Sequence, residues 1–113
     1  MCAYCKMAIS EKRYAAEAID NEGNAYKFDN ALCMTRFVTE RKLREKIGAW
    51  YVAGYVTHLW IDARKAMYVR SAEIPSPMAS GLAAFIGRTN AEEFATAHHG
   101  KVIAFEDLWT SAQ

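Results

Sequence analysis

The chain has 113 residues, is 52% apolar and 24% charged, and carries 14 Lys and Arg against 13 Asp and Glu, a net charge of +1. This length suits one ordinary domain and excludes a second; the balanced charge, with no dominant basic block, excludes the electrostatic footprint of a dedicated nucleic-acid binder. No apolar run approaches the roughly 18 residues of a membrane-spanning helix, because residues 47–60 are interrupted by Gly48, Gly54 and His58.

A chain this long buries about two-thirds of its extended surface, so its core needs no disulfides and its three cysteines are free for chemistry. Their odd number argues against a closed disulfide framework and for a free or metal-binding thiol. No basic stretch followed by an apolar one opens the sequence, so an exported protein of this kind would have lost its signal upstream of residue 1.

In chain order, residues 1–12 read as an irregular segment and residues 13–19 as a strand. Asn21, Gly23 and Asn24 supply a turn over 20–24, and residues 25–28 read as the partner strand of a hairpin. Asp29 or Asn30 can cap a helix with Cys33, Phe37 and Leu43 at helical spacing, which ends in the cationic stretch 41–46. Residues 49–55 and 66–70 read as strands, and Asp62 as a cap on the turn leading to Ala66. Pro75 and Pro77 make 71–81 an irregular loop. Residues 82–86 fit a buried strand. Thr89 and Glu92 form a capping box for a helix over 89–98 that Gly100 closes, and 101–105 alternates as a last strand before an amphipathic tail at Leu108 and Trp109.

The order strand, strand, helix, strand thus occurs twice. Phe28 and Phe37, like Phe85 and Phe94, lie nine residues apart, the first at a strand end and the second in mid-helix. The expected fold is α+β: two ββαβ-like halves, residues 13–55 and 66–105, forming a single compact domain over 1–113 with mixed or mainly antiparallel sheet.

Residues 1–7 read Met1-Cys2-Ala3-Tyr4-Cys5-Lys6-Met7, a dense group of soft donors. Thiolates and thioethers select soft ions such as Cu(I), and a thioether adds little for zinc, so Met7 is the discriminating residue. In a locally extended chain Cys5 and Met7 face the same side, whereas Cys2 joins only if the chain bends. Met78, in the proline-flanked loop, can complete a site of Cys5, Met7 and Met78. Other readings stand beside this one. Cys2 and Cys5 form a C-x-x-C pair that could be redox-active, although no strand can precede it. Cys2, Cys5, Cys33 and His98 or His99 have the ligand count of a structural zinc site. Met7 and Met78 can also fill gaps in a core. Cys33 itself reads first as a core residue sharing a face with Phe37, His98 and His99 as cations at a helix C-terminus, and His58 as a solvent-facing residue. Nothing signals a hydrolase, nucleotide-binding or zincin site, so catalysis is not expected.

The ordered set Tyr4-Cys5-Lys6-Met7, Trp60-Ile61-Asp62-Ala63, Ala66-Met67-Tyr68-Val69, Pro77-Met78 with Gly81 and residues 82–85, Ala91-Glu92-Glu93-Phe94 and Gly100-Lys101-Val102 resembles the NosL family of exported accessory proteins of nitrous-oxide reductase. The resemblance spans nearly the whole chain. It implies two ββαβ units and a metallochaperone that supplies Cu(I) to a copper enzyme, nitrous-oxide reductase, through a membrane-associated maturation complex. It also implies a periplasmic or membrane-anchored lipoprotein. Its Y-C-x-M element falls on Cys5 and Met7 and its loop methionine on Met78, while Cys2 matches less securely. The sequence departs from it in reading Met78-Ala79-Ser80-Gly81, where glycine usually follows the methionine directly, and in the additional soft pair Cys33-Met34.

Overall fold

Small residues on alternate positions let the first strand lie against a helix. In β1 (Ala16–Asp20) Ala16 and Ala18 are fully buried while Glu17 and Ile19 take the other face. The hairpin to β2 (Ala25–Phe28) turns on Asp20, whose Oδ1 accepts the backbone N–H groups of Glu22 and Asn24 at 3.0 and 2.8 Å, and on Gly23 at φ +89°. Hydrogen bonds led by the Asn24 side chain hold the Asp20 carboxyl below the usual carboxylate range. The computed structural model describes residues 1–76 and 80–111.

After β2, α1 (Ala31–Glu40) leads to β3 (Ile47–Ala53) and the three-residue β4 (Trp60–Asp62). The first sheet has the order β2-β1-β3-β4, antiparallel throughout, with Ala16 opposite both Phe28 and Val52. The second half repeats the scheme with β5 (Met67–Arg70), β6 (Leu82–Phe85), α2 (Arg88–Ala97) and β7 (Lys101–Ile103), in the sheet order β6-β5-β7. In each half the first strand is central and is flanked by the two that follow it. A closing helix, α3 (Phe105–Ser111), packs against α1.

β6 is buried along its whole length because both of its faces are covered. Leu82 and Ala84 join Tyr68, Val38, Trp50 and Leu108 in the main core, while Ala83 and Phe85 join Val69, Ala91 and Ala95 beneath α2. The phenylalanine repeat is a contact repeat: the rings of Phe28 and Phe37 are 5.3 Å apart, those of Phe85 and Phe94 5.0 Å. Among the described residues no helix is long and apolar enough to cross a membrane.

Five local details differ from expectation. Residues 12–14 form a 3₁₀ turn, with Ala15 N–H bonded to Lys12 O, so β1 starts three residues later than 13. The first helix stops at Glu40, and Arg44–Lys46 is a separate 3₁₀ turn rather than its last turn. β4 is not foreseen, being too short to show a period. The Thr89 capping box is unused: the N-cap of α2 is Gly87 at φ +88° with no side-chain cap, and Glu92 pairs with Arg88 instead. At the other end of α2, His99 rather than Gly100 takes the left-handed backbone (φ 53°), and Gly100 N–H bonds Ala95 O at 2.8 Å. Gly100 is required by close approach, since a Cβ there would sit 2.7 Å from Val69 Cγ1 and 2.9 Å from Arg70 O.

Candidate metal centre

The N-terminal residues curl into a turn instead of extending. Lys6 N–H bonds Cys2 O at 3.0 Å, Cys2 N–H bonds Met7 O at 2.8 Å, and Lys6 adopts φ 65°. The turn is fastened to the domain from both sides: Ala3 N–H reaches Lys27 O of β2 at 2.7 Å, and the Tyr4 hydroxyl donates to Glu40 at the end of α1. The bend carries Cys2 inward, to full burial, and leaves Cys5 half-buried.

Across from this turn, β2 gives way to α1. Asn30 is the N-cap: its Oδ1 accepts Cys33 N–H at 2.9 Å, its Nδ2 donates to Asp29 Oδ1 at 3.0 Å and faces Cys33 Sγ at 3.5 Å. Capping therefore fixes Asp29, the residue before the cap, and Cys33, the third residue of the helix, on one side. The ligand atoms of Cys2, Cys5, Asp29 and Cys33 lie within 4.8 Å of one another, and Cys5 Sγ is 3.5 Å from Asp29 Oδ2. Asp29 and Cys33 are 3% and 4% exposed.

Burial first, and then the nearby Cys2, Asp29 and Cys5, push the Cys33 thiol far above the ordinary thiol range. Burial raises Cys5 as well; the Met7 N–H pulls it down, and Cys2 and Asp29 push it up. Both thiols are held protonated at neutral pH in the metal-free protein. A cation that displaces those protons gains up to three thiolates and a carboxylate at once.

Of the residues expected at the site, Cys2 and Cys5 are brought together. Met7 is 58% exposed and lines a hollow that Asp29 also lines. Met78 lies outside the described residues. Cys33, expected first in the core, is buried there and also faces the other two thiols. His98 and His99 stand at the end of α2, where both approach Glu73, His99 Nδ1 at 2.7 Å. Asp29, read only as an alternative cap, is the residue that sequence reasoning missed. Its signal was its position directly before the N-cap, four residues before Cys33. His58 is exposed, with its Nε2 3.2 Å from an Arg13 guanidinium nitrogen.

Fold and cluster together define a small α+β domain of two ββαβ halves with a sulfur-rich candidate metal centre where its first turn meets α1. A family model described as NosL matches residues 1–112, and the chain belongs to the NosL family. No curated protein matches it significantly in sequence. Among solved structures, the crystal structure of the copper chaperone NosL from Shewanella denitrificans matches with a TM-score of 0.82 over 93% of this chain and 86% of that one, at 20% identity, and so shares the fold.

Proposed function

We propose that this protein is an exported Cu(I)-binding metallochaperone that passes its ion to a copper enzyme, nitrous-oxide reductase or a relative, through a membrane maturation complex. The observation that carries the reading is the convergence of three cysteine sulfurs within 4.8 Å; thiolates favour Cu(I) above harder ions. Membership of the NosL family and the likeness to a protein named a copper chaperone support it. Cys5, half-buried with Met7 beside it, is the ligand best placed to exchange its ion with a partner, and Met78 is assigned as the second thioether. The test is anaerobic competition for Cu(I) against a chromophoric chelator. Cys5→Ser is expected to weaken binding by about tenfold or more, and an unchanged affinity removes Cys5 from the site.

A second reading is favoured by Asp29. Three thiolates and one carboxylate make a complete tetrahedral set for zinc, and Asp29 takes the fourth place for which His98 or His99 was considered. Zinc bound there would brace the N-terminal turn against α1. It predicts one zinc per purified chain and loss of folding stability on chelation. The dithiol redox reading has less support: Cys2 is fully buried, and the Cys2–Cys5 turn does not open a helix.

A further inference from the structure

Three of the four clustered ligands are almost sealed from solvent, with Cys2, Asp29 and Cys33 exposed by 0, 3 and 4%. An ion bound among them still needs a way in and out. One hollow, about 230 Å³, shares Asp29 with the cluster and is lined also by Met7, Ala8, Ser10, Glu11 and residues 75–76. At about 30 Å³ per water it has room for several waters, or for an ion together with a carrier's donor group. Its lining includes the exposed Glu11 and Met7 together with Asp29, whose Oδ2 is 3.5 Å from Cys5 Sγ.

We propose that this hollow is the port through which a soft monovalent metal ion reaches and leaves the buried thiols. This rests on the Cu(I)-binding reading above and adds the route. An arriving ion trades a carrier ligand for the Met7 thioether, passes Asp29, and bonds Cys5. Each metal–thiolate bond that forms releases one thiol proton to solvent and breaks one bond to the previous ligand, with no change in oxidation state. Release runs the same steps backward.

A passage and a binding site respond differently to obstruction. Filling a passage slows entry and exit by the same factor and leaves the equilibrium alone; filling a site changes the affinity. Ala8→Trp and Ser10→Trp each add an indole at an exposed position that lines the hollow, and Val56→Trp, at a 74% exposed residue in a different hollow, is the control. Anaerobic stopped-flow transfer of Cu(I) from and to a chromophoric chelator gives both rates, and their ratio is checked by equilibrium competition. The port predicts that at least one of the two variants slows both rates by about tenfold with Kd within about twofold of wild type, and that the control is unaffected. Wild-type rates in both variants overturn it and leave Cys5's solvent side as the route; a Kd that moves with the rates overturns it too. If Cys5→Ser leaves Cu(I) affinity unchanged, the binding reading fails instead, whatever the rates show.

Discussion

Cys5 Sγ and Asp29 Oδ2 lie 3.5 Å apart although 24 residues separate them in the chain, so the N-terminal turn and the start of α1 share one polar junction. Asp29 is where the two metal readings diverge. Asp29→Asn keeps the shape and removes the charge. If zinc is the ion, its affinity falls by about 10–100-fold; if Cu(I) is held by sulfur, its affinity changes by less than about threefold. Parallel titrations of the variant with each metal decide between them.

Protonated thiols make metal binding steeply pH-dependent. Because Cys33 and Cys5 titrate above the ordinary thiol range, each thiolate recruited near neutral pH releases close to one proton, and apparent Cu(I) affinity rises about tenfold per pH unit per thiol. Chelator competition between pH 6 and 8, at about constant ionic strength, reads this slope directly.

The same burial affects the metal-free fold. A thiol raised in the folded state retains its proton after the unfolded chain has lost it. Its contribution to stability is therefore complete below the ordinary thiol value of 9.0 and is lost as pH climbs above it. Urea unfolding of the metal-free protein is expected to weaken above that pH by up to about 1.4 kcal/mol per pH unit from Cys33, and Cys33→Ala flattens that limb.

Asn30 is 1% exposed and serves as helix cap, partner of Asp29 and neighbour of Cys33 Sγ. Asn30→Ala is expected to cost about 1–3 kcal/mol in urea unfolding and to weaken metal binding as well. Thr89→Ala, at the unused capping box, stays within about 0.5 kcal/mol.

Ser71 and Gly81 are joined by Ser71 N–H to Gly81 O, and Gly81 N–H bonds Ser76 Oγ, both 2.8 Å. Gly81 sits at φ +67°, and a Cβ there would lie 2.8 Å from Ser71 O, whereas Gly23 at φ +89° has open space. Gly81→Ala is expected to cost about 2–4 kcal/mol and Gly23→Ala about 1 kcal/mol, measured by thermal or urea unfolding.

Much of the fold was legible where local chemistry is strong. Asn21, Gly23 and Asn24 marked the hairpin, and 25–28 is a strand as expected. The Phe28/Phe37 and Phe85/Phe94 spacing reported a ring contact made once in each half. What failed to show depends on tertiary contact. Trp60–Asp62 is a strand only because β3 offers it an edge, and Gly87 starts α2 through its backbone in place of the Thr89 hydroxyl. At the site, Cys2 and Cys5 were visible as a short-spaced pair. Cys33 was joined to them only in the zinc reading and Asp29 not at all, because nothing local says that Ala3 will bond Lys27 and so lay the first turn over the start of α1.

Copper K-edge X-ray absorption of the Cu(I)-loaded protein, compared with Cys5→Ser and Cys33→Ser, tests the central claim most directly. Convergence of the thiols on one ion predicts a first shell dominated by sulfur, with sulfur lost in each variant. A shell of nitrogen and oxygen in the wild type, or spectra that neither substitution alters, would contradict it.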